Sequence, residues 1–314
     1  MTSIFRNWWE GCSGALKGAV WMVLAGVFFA GLGVSIRLSA KEVDVLEVVF
    51  FRNFLNLILM MPWLIQIGWA GLYTERLGLH VLRSVNGLIA MFFWFAAVAI
   101  LPLAEATSLS FTAPLFATVG AALFLGENVR LRRWLAVGVG FFGTLIILRP
   151  GIEIISIGAV LMLVGAVFVA ISVLYIKVLS RTESPNTMVL YMALLTTPVS
   201  AIPLLWVWEM PQGITWLWLF GVGVSATGGH LCLTRAMASA DASAVLPYDY
   251  VRLVFVAIIA FFLFGEVPDL WTWVGSVVIF GSGVYIANRE SAAFNERRQT
   301  QTPATNASGE TIKS

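Results

Sequence analysis

The chain has 314 residues, 59% of them hydrophobic and 11% charged, with a mean hydropathy of +0.89 and a formal net charge of +2. Soluble domains carry charge on about a quarter of their residues, so an ordinary soluble domain is excluded; so small a net charge says little about partners, and no nucleic-acid partner is expected. The alternating ten-residue segments of a β-barrel are absent, and Cys12 and Cys232 supply neither a disulfide framework nor a metal cluster.

The N-terminal segment 1–17 carries Arg6 and Lys17, with Trp8 and Trp9 suited to an interface. The first apolar run, Gly18 to Ile36, is long for a signal-peptide core and reads as a retained anchor, although Leu38-Ser39-Ala40 faintly resembles a cleavage site. Further runs follow at 46–66, 79–100, 103–125, 132–148, 157–179, 187–208, 214–238, 242–264 and 270–288. Each approaches the ~20 residues that a bilayer-spanning helix needs. The expectation is an all-α integral membrane protein of ten transmembrane helices. Its linkers are short and carry turn-formers: Gly71, Pro102, Gly126, Pro150-Gly151, Pro185-Asn186, Pro211-Gln212-Gly213 and Pro268-Asp269. The tail, 289–314, is rich in Ser, Thr, Asn and Gln and is predicted to be disordered.

Lys and Arg in the loops set the orientation. With a cytoplasmic N-terminus, Arg6, Lys17, Arg76, Arg130, Arg132, Arg133, Lys177, Arg181, Arg235, Arg289, Arg297, Arg298 and Lys313 fall inside, against Arg37, Lys41 and Arg149 outside. Both termini are therefore expected in the cytoplasm.

The halves 18–148 and 157–288 resemble one another. Phe124-Leu-Gly-Glu127 recurs as Leu263-Phe-Gly-Glu266, Ala104-Glu-Ala-Thr-Ser108 as Ala240-Asp-Ala-Ser-Ala244, Trp134 as Trp273, and Gly26-Val-Phe-Phe-Ala30 as Ala166-Val-Phe-Val-Ala170. The last offset sets Arg37 against Lys177. An odd number of helices per half makes the halves inverted copies, an arrangement typical of secondary transporters with a central site.

These residues also carry a family resemblance. Phe51-Arg-Asn-Phe54, the stretch Pro102-Leu-Ala-Glu-Ala-Thr-Ser-Leu-Ser-Phe-Thr-Ala-Pro114, Phe124-Leu-Gly-Glu127 and the second-half echoes are similar to the EamA-type permeases of the drug/metabolite transporter superfamily, over about residues 17–290. The resemblance implies ten helices in two inverted five-helix repeats around a central cavity. It implies carriage of small metabolites without a prosthetic group, amino-acid-, riboflavin- or S-adenosylmethionine-like solutes among them. It also points to the bacterial inner membrane.

Other motifs read as packing. Gly138-Val-Gly-Phe-Phe-Gly143 has the G-x-G-x-x-G spacing but sits inside an apolar run with no preceding strand, where small residues let helices approach. No G-x-x-x-x-G-K-[ST] occurs, and two distant histidines, His80 and His230, are poor material for zinc.

The candidate site centres on Leu246-Pro247-Tyr248-Asp249-Tyr250-Val251-Arg252, where a proline, an acid and a base interrupt an apolar run. A charge at a helix centre costs roughly 2.5–3.5 kcal/mol to insert, so such groups usually face a partner or a wet cavity. Asp249 and Arg252 share a face at i, i+3. Pro247 removes a backbone hydrogen bond beside them, and Pro114 lies at a comparable depth from the opposite side; both are expected hinges. Arg52 and Asn56 share a face in the second helix, with Glu47 within reach as a partner. Arg83 and Asn86 open the third helix, Arg83 shallow enough to snorkel to the interface. His230 aligns with Trp94. Among aromatics, Phe111 and Tyr248 lead the cavity candidates, with Phe28, Tyr175, Tyr191 and Tyr250.

The expected binding set is thus Arg52, Asn56, Asn86, Phe111, His230, Tyr248, Asp249 and Arg252. Pro114, Pro247, Arg37 and Lys177 serve as hinges and gates, and Glu127 and Glu266 as caps or gate elements. Arg52 and Arg252 would hold an anionic group, Asp249 an amine or a coupling proton, and the aromatics an apolar body. A membrane enzyme would need a clustered nucleophile–base or metal constellation, and a non-transporting scaffold would not need ionisable residues near the midplane. A homodimer is compatible with this class of bundle, though no motif encodes one.

Overall fold

The computed structural model describes residues 14–68, 73–124, 131–149, 156–179, 182–183, 185–239, 246–282 and 284–285. The remaining positions include most of the N-terminal segment, Gly71, Gly126, Glu127, Pro150, Gly151 and the 289–314 tail. The side chains of Lys177 and Pro247 also lie outside the description.

Among the described residues the chain is helical and without strands. Its helices are α1 (Gly14–Ser39), α2 (Val45–Ile67), α3 (Leu77–Ile100), α4 (Leu103–Ser110), α5 (Ala113–Phe124), α6 (Leu131–Leu148), α7 (Ile157–Leu179), α8 (Pro185–Ala201), α9 (Leu204–Val207), α10 (Thr215–Ser239), α11 (Val251–Phe264) and α12 (Leu270–Ser282). A 3-10 turn, Leu246–Tyr250, leads into α11. Among the described residues five helices are long and apolar enough to cross a membrane. In a bilayer, helices satisfy their own backbone groups, and spans can break only where neighbouring protein re-satisfies them.

Every predicted run contains helix, but three are interrupted. The run 103–125 divides into α4 and α5 at Phe111-Thr112. The run 187–208 divides into α8 and α9 around Ile202-Pro203, and 242–264 is described from a 3-10 turn onward. The first break falls upstream of Pro114 because a proline ring clashes with the carbonyl four residues back, here Ser110, and disfavours helix at the residue before it. The chain answers with tight turns: Phe111 N–H donates to Ser108 O at 3.2 Å and Thr112 N–H to Leu109 O at 3.1 Å. Pro114 then occupies the first turn of α5, where its missing N–H is harmless.

The packing carries the repeat in three dimensions. The two most extensive helix pairs are α1 with α10 and α3 with α7, and exchanging the halves converts one pair into the other. The pairs α2 with α10 and α3 with α8 interconvert likewise, as do α1 with α11 and α7 with the α4–α5 span; α2 with α8 and α4 with α11 map onto themselves. The seam between α6 and α12 follows the same operation. Ser282 Oγ donates to Ala136 O at 2.5 Å, and the equivalent contact, with Trp134 set on Trp273, is Gly143 against Gly275. There a methyl group on either glycine would meet the other's carbonyl oxygen within 3.0 Å. Gly140 also abuts Leu115 and Ser282, whereas Gly138 touches nothing within 4 Å, so the G-x-G-x-x-G spacing serves helix packing.

Candidate functional site

The break in α4–α5 and the 3-10 turn before α11 are repeat mates that meet in the bundle. Around the first, Thr107, Ser108, Ser110 and Thr112 turn their hydroxyls onto the backbone carbonyls of Leu103, Ala104, Thr107 and Leu109 at 2.7–2.8 Å, which satisfies these groups without water and favours bending. Phe111 projects from the break and packs on Tyr250 at 4.5 Å between ring centroids; Tyr250 in turn meets Phe280 at 4.3 Å.

Arg252 and Asp249 lie on one face, as their spacing predicts, with Nη2 and Oδ2 3.6 Å apart. The guanidinium stands over the Phe111 ring at 4.8 Å and the Phe29 ring at 5.7 Å, both within cation–π range. Gly26 admits this helix: the position of an added methyl on it lies 3.4 Å from Arg252 Cβ. Arg252 also lines an apolar crevice with Phe29, Gly33, Trp94, Val98 and Thr107. Tyr248 is exposed at the middle of the turn, and Asp249 and Arg252 are half-buried.

A second polar cluster lies beside the first. Arg52 is buried and donates to Asn53 Oδ1 at 3.0 Å, and its Nη2 lies 3.1 Å from His230 Nε2. A guanidinium has no acceptor, so His230 accepts through Nε2, is neutral, and carries its proton on Nδ1. Asn53 donates to Ser200 Oγ at 3.3 Å, and Asn56 Oδ1 accepts from Thr227 Oγ1 at 3.1 Å. Phe29 joins the clusters: His230 meets its ring edge-on at 5.5 Å, and Arg252 lies over the same ring. His230 remains exposed on its other side. Asn86 is spent structurally, its amide donating to Phe168 O at 2.8 Å and Ser172 Oγ at 2.6 Å.

Two sequence-based expectations change here. Glu47 does not pair with Arg52; it is wholly buried and accepts the backbone N–H of Glu209 at 2.8 Å. Arg83 does not snorkel. It is buried and donates to Met188 O at 2.7 Å, because α8 packs over it before it can reach an interface.

The ends of the bundle are tied by polar contacts. Arg37, a predicted gate, forms an ion pair with Glu266, whose Oε2 also accepts Leu103 N–H at 2.9 Å. Glu266 is aimed by Gly265, which caps α11 at φ 67°, so that Glu266 N–H reaches back to Ala260 O. One carboxylate thus joins α1, α4 and α11. Losing one partner of such a part-buried contact costs on the order of 1–3 kcal/mol. Glu266→Gln should therefore lower Tm in detergent, and exchanging the charges at Arg37 and Glu266 should recover much of the loss; an unchanged Tm in the single variant would remove the tie.

At the same end Arg149 Nη2 meets Asp269 Oδ2 at 2.5 Å, and Asp269 caps α12 through Thr272 N–H at 2.8 Å. Partial burial pushes the Asp269 carboxyl up, but hydrogen bonds from Thr272 and the Arg149 guanidinium outweigh it and hold it below its usual 3.8. A depressed folded-state value means that the contribution is present above ordinary carboxylate pH and is lost as pH falls below it. The Tm gap between wild type and Asp269→Asn should accordingly be full at pH 7 and close on acidification past that value. A gap independent of pH would deny the ionised carboxylate this role.

The inversion also appears in end contacts. Glu42 accepts from Thr215 Oγ1, joining the α1–α2 turn to the start of α10. Its counterpart Glu183 accepts from Thr74 Oγ1 at 2.6 Å, joining the α7–α8 turn to the approach of α3. Residues the sequence did not single out are Phe29, which links the clusters, and Thr227 and Ser200, whose hydroxyls complete them. Small polar residues in apolar helices are too common to stand out without their neighbours.

The profile of the EamA-like transporter family matches this chain twice, over residues 16–149 and 156–288. A riboflavin transporter of Vibrio cholerae is 34% identical over 288 residues, covering 90% of this chain and 97% of that protein. An S-adenosylmethionine uptake transporter of Rickettsia felis is 32% identical, with 91% and 97% covered. A pseudopaline exporter of Pseudomonas aeruginosa is 32% identical, with 84% and 93% covered. A crystal structure superposes with a TM-score of 0.60 at 18% identity, covering 90% of this chain and 98% of the other, a likeness of fold alone.

Proposed function

The chain belongs to the EamA-like transporter family and is a small-metabolite transporter of the membrane, and from that premise we propose that it moves a polar or amphipathic solute by alternating access across a bacterial inner membrane, with both termini cytoplasmic. The solute class is amino-acid-, riboflavin- or S-adenosylmethionine-like, with a proton as a candidate coupling ion. Relatives include one named for uptake and one named for export, so direction is a property of each carrier rather than of the family.

The observation that carries this reading is the exchange symmetry of the packing. The α1–α10 pair and its mate α3–α7 give a scaffold in which tilting one half against the other converts one closed end into its counterpart, the motion expected of inverted repeats. Breaks in paired spans, at Phe111-Thr112 and at Leu246–Tyr250, support a site between them, because inverted-repeat carriers build their sites from discontinuous spans.

In this reading Arg252 and Arg52 engage an anionic group and Asp249 an amine or a proton. Phe111 and Tyr248 pack on the apolar body, and His230 and Asn56 complete the lining; Asn86, expected there from the sequence, instead braces α3 against α7. Pro114 and Pro247 loosen the paired spans. Arg37 seals the end nearest Glu266, and Lys177 acts at the opposite mouth. The orientation rests on the excess of Lys and Arg in one set of loops.

Untargeted metabolite profiling of cells with and without the protein, inside and in the medium, tests the reading. One solute or a narrow chemical set should shift between the compartments, and an unchanged profile under several growth conditions would overturn it.

A further inference from the structure

Arg52 and Arg83 are an electrostatic anomaly among the described residues of the bundle. Each guanidinium sits in a membrane-spanning helix, at 5% and 7% exposure. Among the described residues the ion pairs are Arg37–Glu266, Arg149–Asp269 and Arg252–Asp249, and neither arginine takes part. A guanidinium offers five N–H donors. Arg52 uses two contacts, Asn53 Oδ1 and His230 Nε2; Arg83 uses one, Met188 O, and its Nε is buried with no partner. Every one of these acceptors is neutral.

Both face α8: Arg83 bonds Met188 O on it, and Asn53, which accepts from Arg52, donates to Ser200 Oγ on the same helix, while Arg52 also reaches His230 of α10. The acid on that side, Glu183, is held by Thr74 Oγ1 at 2.6 Å and faces His80 Nε2 at 3.9 Å rather than Arg83. Burying a charge without a counter-charge is costly, and two like charges in one region cost more. Packing offers no return for that cost, since a single neutral donor would serve Met188 O as well. A transported anion would return it, because planar, forked guanidiniums match carboxylate and phosphate oxygens.

We propose that Arg52 and Arg83 together form the anion-binding clamp of the transport site, so that the solute carries a carboxylate or phosphate group. His230 acts as a neutral placeholder: its Nε2 lone pair holds Arg52 in position, and the solute's oxygen takes over that donor on binding. The exposed side of His230 is where the solute reaches the guanidinium. This inference rests on the carrier reading and narrows its substrate class. It moves the anionic group from the Arg52–Arg252 pair to Arg52 and Arg83, whose position near the helix start conceals a part in binding, and it leaves Arg252, paired with Asp249, to orient the rest of the solute.

The test uses the full chain, purified and reconstituted in liposomes, incubated with a cell extract of water-soluble metabolites; internal solutes are identified by mass spectrometry. The solute gained by wild-type vesicles should bear a carboxylate or phosphate. Its methyl ester or amide should enter at least ~100-fold more slowly, the scale for leaving a buried charge unpaired. Arg52→Gln and Arg83→Gln should each reduce uptake by ~10-fold or more. Arg52→Lys and Arg83→Lys, which keep the charge but lose the fork, guard against misfolding and should raise KM more than they lower kcat. A transported solute without an acidic group, or full uptake by Arg83→Gln, overturns the clamp and leaves the carrier reading standing. No solute gained by wild-type vesicles from any extract removes both.

Discussion

Arg252→Ala is expected to abolish transport, to at most ~1% of wild-type flux, the scale for losing a desolvated charged contact, while the protein still inserts and folds. The guanidinium is the hub of the first cluster, with Asp249 at 3.6 Å and the Phe111 and Phe29 rings at 4.8 and 5.7 Å. Its loss removes the cation that both rings and the carboxylate face. Insertion should not suffer, because a charge at mid-span costs roughly 2.5–3.5 kcal/mol to place in the bilayer and alanine costs none of it. Asp249→Asn should also stop transport, by leaving Arg252 without its counter-charge. Flux of the solute found by profiling, measured beside membrane-fraction yield and Tm, separates the site from the scaffold. Wild-type flux in both variants, with normal yield, would remove this cluster from the pathway. A cysteine scan along 246–253 gives an independent reading, since residues lining an aqueous route should react with water-soluble thiol reagents.

The second large effect concerns assembly. Gly275→Leu should destabilise the folded protein by about 3 kcal/mol or more, at the upper end of overpacking costs. At this position a side chain meets Ile147 and the backbone oxygen of Gly143, and a backbone group cannot rotate away as a side chain can. Gly281 lies on the same helix with nothing within 4 Å, so Gly281→Leu should be close to neutral. Thermal unfolding of both variants in one detergent decides the matter; equal shifts would mean that the α6–α12 seam does not depend on close backbone approach.

Much of this architecture was legible in the sequence because hydrophobic run length reports directly on bilayer thickness. The echo of Leu-Phe-Gly-Glu and the odd helix count together implied inversion, and the exchange of α1–α10 with α3–α7 has that form. Asp249 and Arg252 were found because an acid and a base inside an apolar run are rare enough to be conspicuous.

What stayed hidden were features set by partners distant in sequence. Glu47 was placed near Arg52 by spacing along one helix, yet its partner is the Glu209 backbone, brought over by the turn after α9. Arg83 looked shallow when measured from the start of its own helix, and α8, which buries it, cannot be read from that distance. The break at Phe111-Thr112 was assigned to Pro114 itself, whereas a proline disrupts the turn before it. Phe29 looked like any other phenylalanine of an apolar helix, and only the arrival of His230 and Arg252 on its ring distinguishes it.

The exchange of partners between halves also sets the order in which this protein can be made. α1 packs chiefly on α10, which emerges some 200 residues later, and at ~5–20 residues per second that is roughly 10–40 s of synthesis. The acceptors that settle the polar face of α2 are equally late: Arg52 awaits His230, Asn53 awaits Ser200, and Asn56 awaits Thr227. Until then the nascent first half must shelter a guanidinium and two amides elsewhere, in water or against the insertion machinery. Biogenesis therefore has a vulnerable interval that closes only when α10 enters the bilayer, and truncation before residue 230 should leave a chain that the cell's quality control recognises and degrades.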